Sequence, residues 1–515
     1  MEHLLTGPQF IGLAVLFLAM ITGISMYGSA AVQTTKASYY LNNRATSTLM
    51  GAVASFAAWT WAPAYFISSM FGYQYGWIGP FWYTPINALC LALFAFAAYR
   101  ITSLYPLGIT LPEYMGRRYS KRVESLYLLA LGALGVSAFA VQVLAGAEVV
   151  AYLTPIPKLY AAIGIAFAPM IYTAFGGMRA SILSDNAKGW MLITMLAIVL
   201  PWVFVKAGGW ENLAAGLYGK NADYVNPFVG EKAYILMLTF GIPASLNWLA
   251  GPWRDQSFWQ LAYAGERKAR RNQFLLAAPI FAVVVLALSL LGIIAAGAIH
   301  TISGFVITNP QYVGIELVQQ LLPWPVAVAF TMCLVLGLIS TLDSHVVSVA
   351  TLFGSDIFRR FRPHDSEAHQ IRAGRIAMFA VPVIGVLIAV IPGLKIIHLF
   401  LIYGSLGAAT FLPTVITLFA RRTTTISESG MFWGIVISLT VGWPMAVVGY
   451  FLANPTEWMA PITMALSQSF GAVTLGQMAL YLPIVGAVTT MAASGVIVLI
   501  STALTRQRVK SAMVV

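Results

Sequence analysis

Charged side chains are scarce in this sequence. Only 9% of its 515 residues are Asp, Glu, Lys or Arg, while 59% are hydrophobic. A water-soluble domain carries roughly 25% charged residues, so a solvated surface on this scale is excluded and the surface must face lipid. Cysteine is nearly absent. Cys90 and Cys333 both lie in long apolar runs, which excludes a disulfide framework and makes them packing residues. The histidines His3, His300, His345, His364, His369 and His398 are scattered, with no metal or nucleophile spacing among them. A membrane-embedded enzyme is therefore not expected, and no cofactor is called for. The short tail after residue 504 is too small for a signalling domain, which argues against a sensor.

What is present is a series of apolar runs. A helix needs about 20 mostly apolar residues to cross the hydrocarbon core. Thirteen such spans are expected, at 8–28, 50–71, 78–100, 123–153, 157–176, 182–206, 233–262, 273–299, 326–358, 374–393, 396–419, 429–453 and 481–504. The first lacks a basic leader and a small-residue cleavage site, so it reads as a retained span rather than a signal peptide.

Basic residues orient the chain. With the N-terminus outside, 22 of the 29 Lys and Arg residues fall in cytoplasmic loops, in clusters such as Arg117–Arg118–Lys121–Arg122, Arg267–Lys268–Arg270–Arg271 and Arg359–Arg360–Arg362. Five fall outside: Lys158, Lys206, Lys220, Lys232 and Lys395. Lys188 and Arg254 lie within spans 6 and 7, near their inner ends. This bias predicts N-out, C-in insertion. It also accounts for the net charge of +12 through contact with anionic lipid, without nucleic acid.

Two spans look interrupted. Span 2 carries Trp59, Thr60, Trp61 and Pro63, and span 7 carries Gly241, Pro243, Asn247, Trp248, Gly251 and Pro252. Each opens a block of five spans, 50–206 and 233–419. Matched interruptions in matched positions point to an inverted-repeat transporter with its site at mid-membrane. Prolines that merely kink helices are the plainer alternative. The expected organisation is an extra helix and loop (1–49), two five-helix repeats separated by an outer loop (207–232), and extra C-terminal helices (420–515).

Polar residues at membrane depth complete the pattern. Gly337, Ser340, Thr341 and Ser344 of span 9 form one stripe of a helix. Its hydroxyls suit a hard cation such as sodium, although hydroxyls in helices also bond back to the preceding turn. Asp185 is the best anionic ion ligand, with an interfacial pair to Lys188 as its alternative. Asp343 and His345 flank the stripe and are suited to a buried pair or a proton relay. Glu148 falls near an outer end, where a solvated position is expected, and Arg254 with Asp255 suits a gate pair or an inner-face ion pair. No lysine or arginine is expected at mid-membrane.

Four segments resemble the sodium:solute symporter family. I-T-L-P-E-Y-M-G-R-R-Y (109–119) resembles its cytoplasmic motif after the second core helix. Y-T-A-F-G-G-M-R-A-S-I-L-S-D (172–185) resembles its Gly-Gly turn before the helix-five aspartate. W-R-D-Q-S-F-W-Q-L-A-Y-A (253–264) resembles the end of core helix six. I-S-T-L-D-S-H-V-V-S-V-A-T-L-F-G-S-D-I-F (339–358) resembles the core-helix-eight signature. Within the family, W-T-W-A (59–62) and Y-Q-Y-G-W-I-G-P-F-W-Y (73–83) are most similar to the urea and polyamine branch.

The resemblance implies an all-α, LeuT-type core of ten helices in two inverted repeats, with sodium as coupling ion. It also implies sodium ligation by the hydroxyls of Ser340 and Thr341 and by backbone carbonyls at Gly337, Ala57 and Thr60. Asp185 matches an acid on the ion exit path that in some members helps hold a second sodium. Asp343 departs from the small residue expected there, which leaves proton coupling or an altered second ion site open, with Ser344 beside it. A small polar solute such as urea needs aromatic faces and a few amides or hydroxyls. Trp59, Trp61, Gln142, Asn247, Trp248 and Tyr403 are suited to this. Polyamines would instead need acids such as Asp343 or Glu148.

Overall fold

The computed structural model describes residues 4–28, 34–421, 426–456 and 459–514. His3 lies outside these ranges, as does Arg422 of the basic residues counted above, and the side chains of Arg508 and Lys510 are likewise not described. Among the described residues there is no strand, only an isolated parallel bridge between Thr46 and Gly265. The chain is all-α.

Among the described residues ten helices are long and apolar enough to cross a membrane. The difference from thirteen spans lies at two broken spans and at the junction of spans 5 and 6. Span 2 is two shorter helices, Thr48–Trp59 and Ala62–Tyr75. Span 7 runs from Glu231 to Leu249 through a π-helical turn at Met237–Gly241 and breaks before Gln256–Ala264. Spans 5 and 6 follow one another closely within 158–206, parted by the non-helical backbone of Gly177. Gly177 has φ 57, and a Cβ there would stand 2.3 Å from the Tyr39 carbonyl oxygen, so only glycine fits this bend.

Local chemistry sets both breaks. Trp61 is extended, and Pro63 enters in the first turn of the following helix, where its missing N–H costs nothing. Thr60 closes the preceding helix by donating its hydroxyl to the Phe56 carbonyl at 2.8 Å. In the second break, Gly251 and Pro252 end the helix after Leu249. Asp255 then starts the next one, its Oδ1 accepting from the Ser257 amide at 2.9 Å.

Burial ranks the helices. In Trp324–Phe361 83% of the most apolar stretch is buried, against 17% in Gly7–Tyr27. The former is therefore the centre of the bundle and the latter an accessory helix facing lipid. Helix Trp324–Thr351 packs on Met170–Lys206 and Lys121–Leu153, whereas Ala269–Thr301 supports both halves of the first broken helix. Cys90 and Cys333 are buried and unbridged.

Candidate cation and solute sites

The hydroxyl stripe of span 9 meets the helix that carries Asp185. Ser340 donates to Asp185 Oδ1 in a short hydrogen bond, and Ser344 donates to Oδ2 at 3.2 Å. Ser181 stands 3.5 Å from Ser344. All four side chains are buried. Thr341 reaches across to the end of the first broken helix, donating to the carbonyl of Ala58 at 3.4 Å. That is one residue on from Ala57, which the family pattern marks. Thr60 sits at the break itself, and Gly337 admits the hydroxyl of Tyr65, which a Cβ would approach to 2.1 Å. The result is a cluster of hydroxyl and carboxylate oxygens beside unwound backbone, chemically fit for a hard cation.

Several pairings differ from the sequence expectation. Lys188 does not pair with Asp185. Its ammonium donates to Asp343 Oδ2 at 2.6 Å, and both side chains are buried. Asp343 also accepts from Tyr172 at 2.6 Å and Ser184 at 2.7 Å. One turn along the helix carries Lys188 past Asp185 to the neighbouring helix, a choice that spacing alone does not reveal. Asp343 and His345 do not pair either, because two residues apart on a helix they point in different directions. His345 donates from Nδ1 to the Thr341 carbonyl at 2.7 Å, and its Nε2 lies 3.1 Å from Asp255 Oδ2. Asp255 thus faces His345, while Arg254 turns away from it. Buried cations are present in the core, in Lys188 and Arg254.

Arg254 is fully buried. Its Nη1 donates to the carbonyls of Asn247 at 2.8 Å and Gly404 at 2.6 Å. The guanidinium lies 4.4 Å from the Tyr403 ring centre, a cation–π contact. Gly407 makes room for its stem, since a Cβ there would stand 1.8 Å from Arg254 Cδ.

Around Tyr403 the two breaks assemble an aromatic cluster. Trp61 meets Tyr403 at 5.1 Å and Phe400 at 5.5 Å, and stacks on Trp59 at 6.3 Å. Trp248 meets Phe400 at 5.9 Å and Tyr83 at 4.9 Å. Trp59 is anchored through Nε1 to the Asn87 side chain at 2.8 Å. Gln142 Oε1 accepts from the Ala62 amide at 2.8 Å, capping the helix that follows the break. Asn247 donates to the Tyr450 hydroxyl at 3.3 Å. Among the described residues, buried polar atoms here without a hydrogen-bond partner include Trp61 Nε1, Trp248 Nε1, Gln142 Nε2, Asn247 Oδ1, Asn87 Nδ2 and the Tyr83 hydroxyl. An unpaired buried polar atom costs about 1–3 kcal/mol, so these atoms are candidates for bonding a polar solute.

A cavity of about 650 Å³ opens at the end of the molecule opposite the basic clusters. Phe66, Phe240 and Leu401 line it, together with Glu148, Gln311 and Lys395. Phe240 meets Trp248 at 5.9 Å, so one aromatic layer separates the cavity from the cluster. Glu148 is half-buried rather than free in solvent, paired with Lys158 at 3.3 Å and accepting from Gln311 at 3.2 Å.

Sequence reasoning missed Tyr172, Ser181, Ser184, Phe400 and the interior place of Arg254. Ser181, Ser184 and Asp185 did carry a signal, since their i, i+3, i+4 spacing places them on one face. The position of Arg254 had none, because it depends on which way the chain turns after Gly251.

Comparison with known proteins agrees with this arrangement. A model of the sodium:solute symporter family matches residues 39–438. A probable urea active transporter of Schizosaccharomyces pombe is 23% identical over 83% of this chain and 68% of its own length. A urea-proton symporter of Oryza sativa is 23% identical, over 84% and 66% respectively. The chain thus spans about two-thirds of the length of these two relatives. The sodium/pantothenate symporter of Escherichia coli is also 23% identical, over 89% of this chain and 95% of its own. Among solved structures, a sodium-coupled sialic acid symporter in an outward-open state superposes over 93% of this chain and 97% of its own, with a TM-score of 0.68 and 16% identity. That likeness carries the fold, the core of two inverted five-helix repeats. The chain is a multi-pass membrane protein, and it belongs to the sodium:solute symporter family.

Proposed function

We propose that the protein imports a small polar solute, urea-like in its hydrogen bonding, together with sodium by alternating access. The observation that carries this reading is the meeting of two broken helices at unpaired polar atoms, next to a buried hydroxyl–carboxylate cluster. Sodium bridges the first break and span 9 through Ser340, Thr341 and the carbonyls at Gly337, Ala57 or Ala58, and Thr60. The solute lies between Trp59, Trp61, Trp248 and Tyr403, with Gln142 and Asn247 bonding its edges. Sodium entry favours the state that opens outward, and the two blocks 50–206 and 233–419 then rearrange around the occupied site. Sodium leaves inward past Asp185 and Ser344. Each ligand shifts this equilibrium only by its difference in affinity between the two states.

The orientation that fits is the one with basic loops in the cytoplasm, so the cavity of about 650 Å³ faces outside. The names of two relatives favour urea as the solute type. A second reading, proton coupling, draws on the buried Lys188–Asp343 pair, which stands where Asp343 departs from the family pattern.

Uptake of labelled urea into proteoliposomes, with and without an inward sodium gradient, tests the reading. Gradient-dependent uptake lost in the Ser340→Ala, Thr341→Ala double variant is the expected result. Uptake indifferent to sodium but driven by a proton gradient would transfer the coupling to Lys188 and Asp343.

A further inference from the structure

The buried charges of the core do not all find partners within the protein. Lys188 is matched by Asp343, and Asp255 faces His345. Asp185 accepts from the hydroxyls of Ser340 and Ser344, with the Lys188 charge nearby. Arg254 is held only by carbonyls and the face of Tyr403. Among the described residues no carboxylate pairs with Arg254, and its Nε and Nη2 have no acceptor. An isolated buried ion is costly enough that such charges are normally paired.

Asp185 and Arg254 are opposite in sign and lie in different places. Asp185 belongs to the cation cluster. Arg254 belongs to the solute cluster, one ring away from Trp61 through Tyr403. The unpaired neutral atoms of that cluster lean the same way. Trp61 Nε1, Trp248 Nε1, Gln142 Nε2 and Asn87 Nδ2 are donors, against the acceptor Asn247 Oδ1 and the Tyr83 hydroxyl, which can do either. A site so rich in donors is built for an acceptor-rich ligand.

We infer that the solute carries an anionic oxygen group, a carboxylate in the simplest case, which the guanidinium of Arg254 recognises at the second break while Gln142 and Asn247 bond an amide-like portion. This rests on the placement of the solute at the two breaks given above and narrows its chemistry. A planar guanidinium with two free N–H groups matches a carboxylate edge. It repels polyamines, and it leaves urea alone able to use only part of the site. Sodium at Asp185 and an anion at Arg254 would neutralise the core together, so each favours binding of the other.

The test compares small carboxylates with their own primary amides: N-carbamoylglycine, lactate and glycolate, each against the matching neutral amide. Thermal stability of the purified protein is read in sodium and in potassium, and inhibition of labelled N-carbamoylglycine uptake is read in proteoliposomes. The expected result is sodium-dependent stabilisation and competition by at least one acid, with its amide at least about 10-fold weaker, as for loss of a charge-assisted bond. In Arg254→Gln that preference should vanish while stabilisation by sodium alone persists. Should this variant fail to fold, the acid-against-amide comparison in the unaltered protein decides by itself. Amides acting as well as acids, or sodium stabilising the protein while no acid has any effect, would overturn the anionic solute and leave the symporter reading standing. Absence of any sodium effect, together with absence of any uptake, would remove that reading and the inference with it.

Discussion

Lys188 Nζ lies 2.6 Å from Asp343 Oδ2, and both side chains are sealed from solvent. The pair ties the helix Met170–Lys206 to Trp324–Thr351 at the depth of the cation cluster. Removing one partner of a buried ion pair costs about 3–5 kcal/mol, whereas removing both is often close to neutral. Lys188→Met and Asp343→Asn should each lower the melting temperature in detergent strongly, and the double variant should recover most of the loss. Equal and additive losses in a thermal-stability cycle would show that the two charges do not depend on each other.

Ser340 is the hydroxyl in closest contact with Asp185. Ser340→Ala removes one oxygen from the cation cluster without changing charge. Sodium affinity, measured as the concentration giving half-maximal thermal stabilisation, should weaken about 10-fold, which corresponds to about 1.4 kcal/mol. Thr341→Ala should weaken it less, since its contact with the Ala58 carbonyl is longer, at 3.4 Å. An unchanged sodium response in both variants would move the cation elsewhere.

Gln142 caps the helix that begins at Ala62 and keeps Nε2 unpaired beside the solute cluster. Gln142→Leu leaves the Ala62 amide without its acceptor, at a cost of about 1–3 kcal/mol. Solute uptake should show a raised KM, with sodium affinity altered far less. A variant that loses sodium and solute response in parallel would indicate collapse of the break rather than loss of a solute contact.

Gly407 gives Arg254 its passage, with a virtual Cβ 1.8 Å from Arg254 Cδ. Gly407→Ala must displace the guanidinium from the Asn247 and Gly404 carbonyls. Solute uptake should fall at least as far as in Arg254→Gln, with sodium-dependent stabilisation retained. Wild-type uptake in Gly407→Ala would mean that the position of Arg254 is unimportant to the solute.

Much of this architecture can be read directly from residue order. Apolar length located every span, including the two that fold as shorter helices, and Pro63 and Pro252 marked where those helices part. Both signals are local: a missing N–H and a run of about 20 apolar residues act wherever the chain goes. The stripe from Gly337 to Ser344 was legible for the same reason, because helical periodicity alone puts those residues on one face. The turn at Gly177 was legible too, since the Gly-Gly pair between spans 5 and 6 falls where the backbone takes a positive φ.

Charge partners are a different matter. The sequence alone determined that this chain is a helical membrane protein with two broken spans and a hydroxyl stripe, since hydropathy and periodicity follow from neighbouring residues. Only the tertiary structure decided that Lys188 faces Asp343 instead of Asp185, that Asp255 faces His345, and that Arg254 turns into the core beside Tyr403. Residues three apart on a helix share a face, so Lys188 can reach Asp185 or a carboxylate on a neighbouring helix. Which neighbour it then meets depends on how helices distant in sequence are rotated and stacked, and that is fixed by packing rather than by local order.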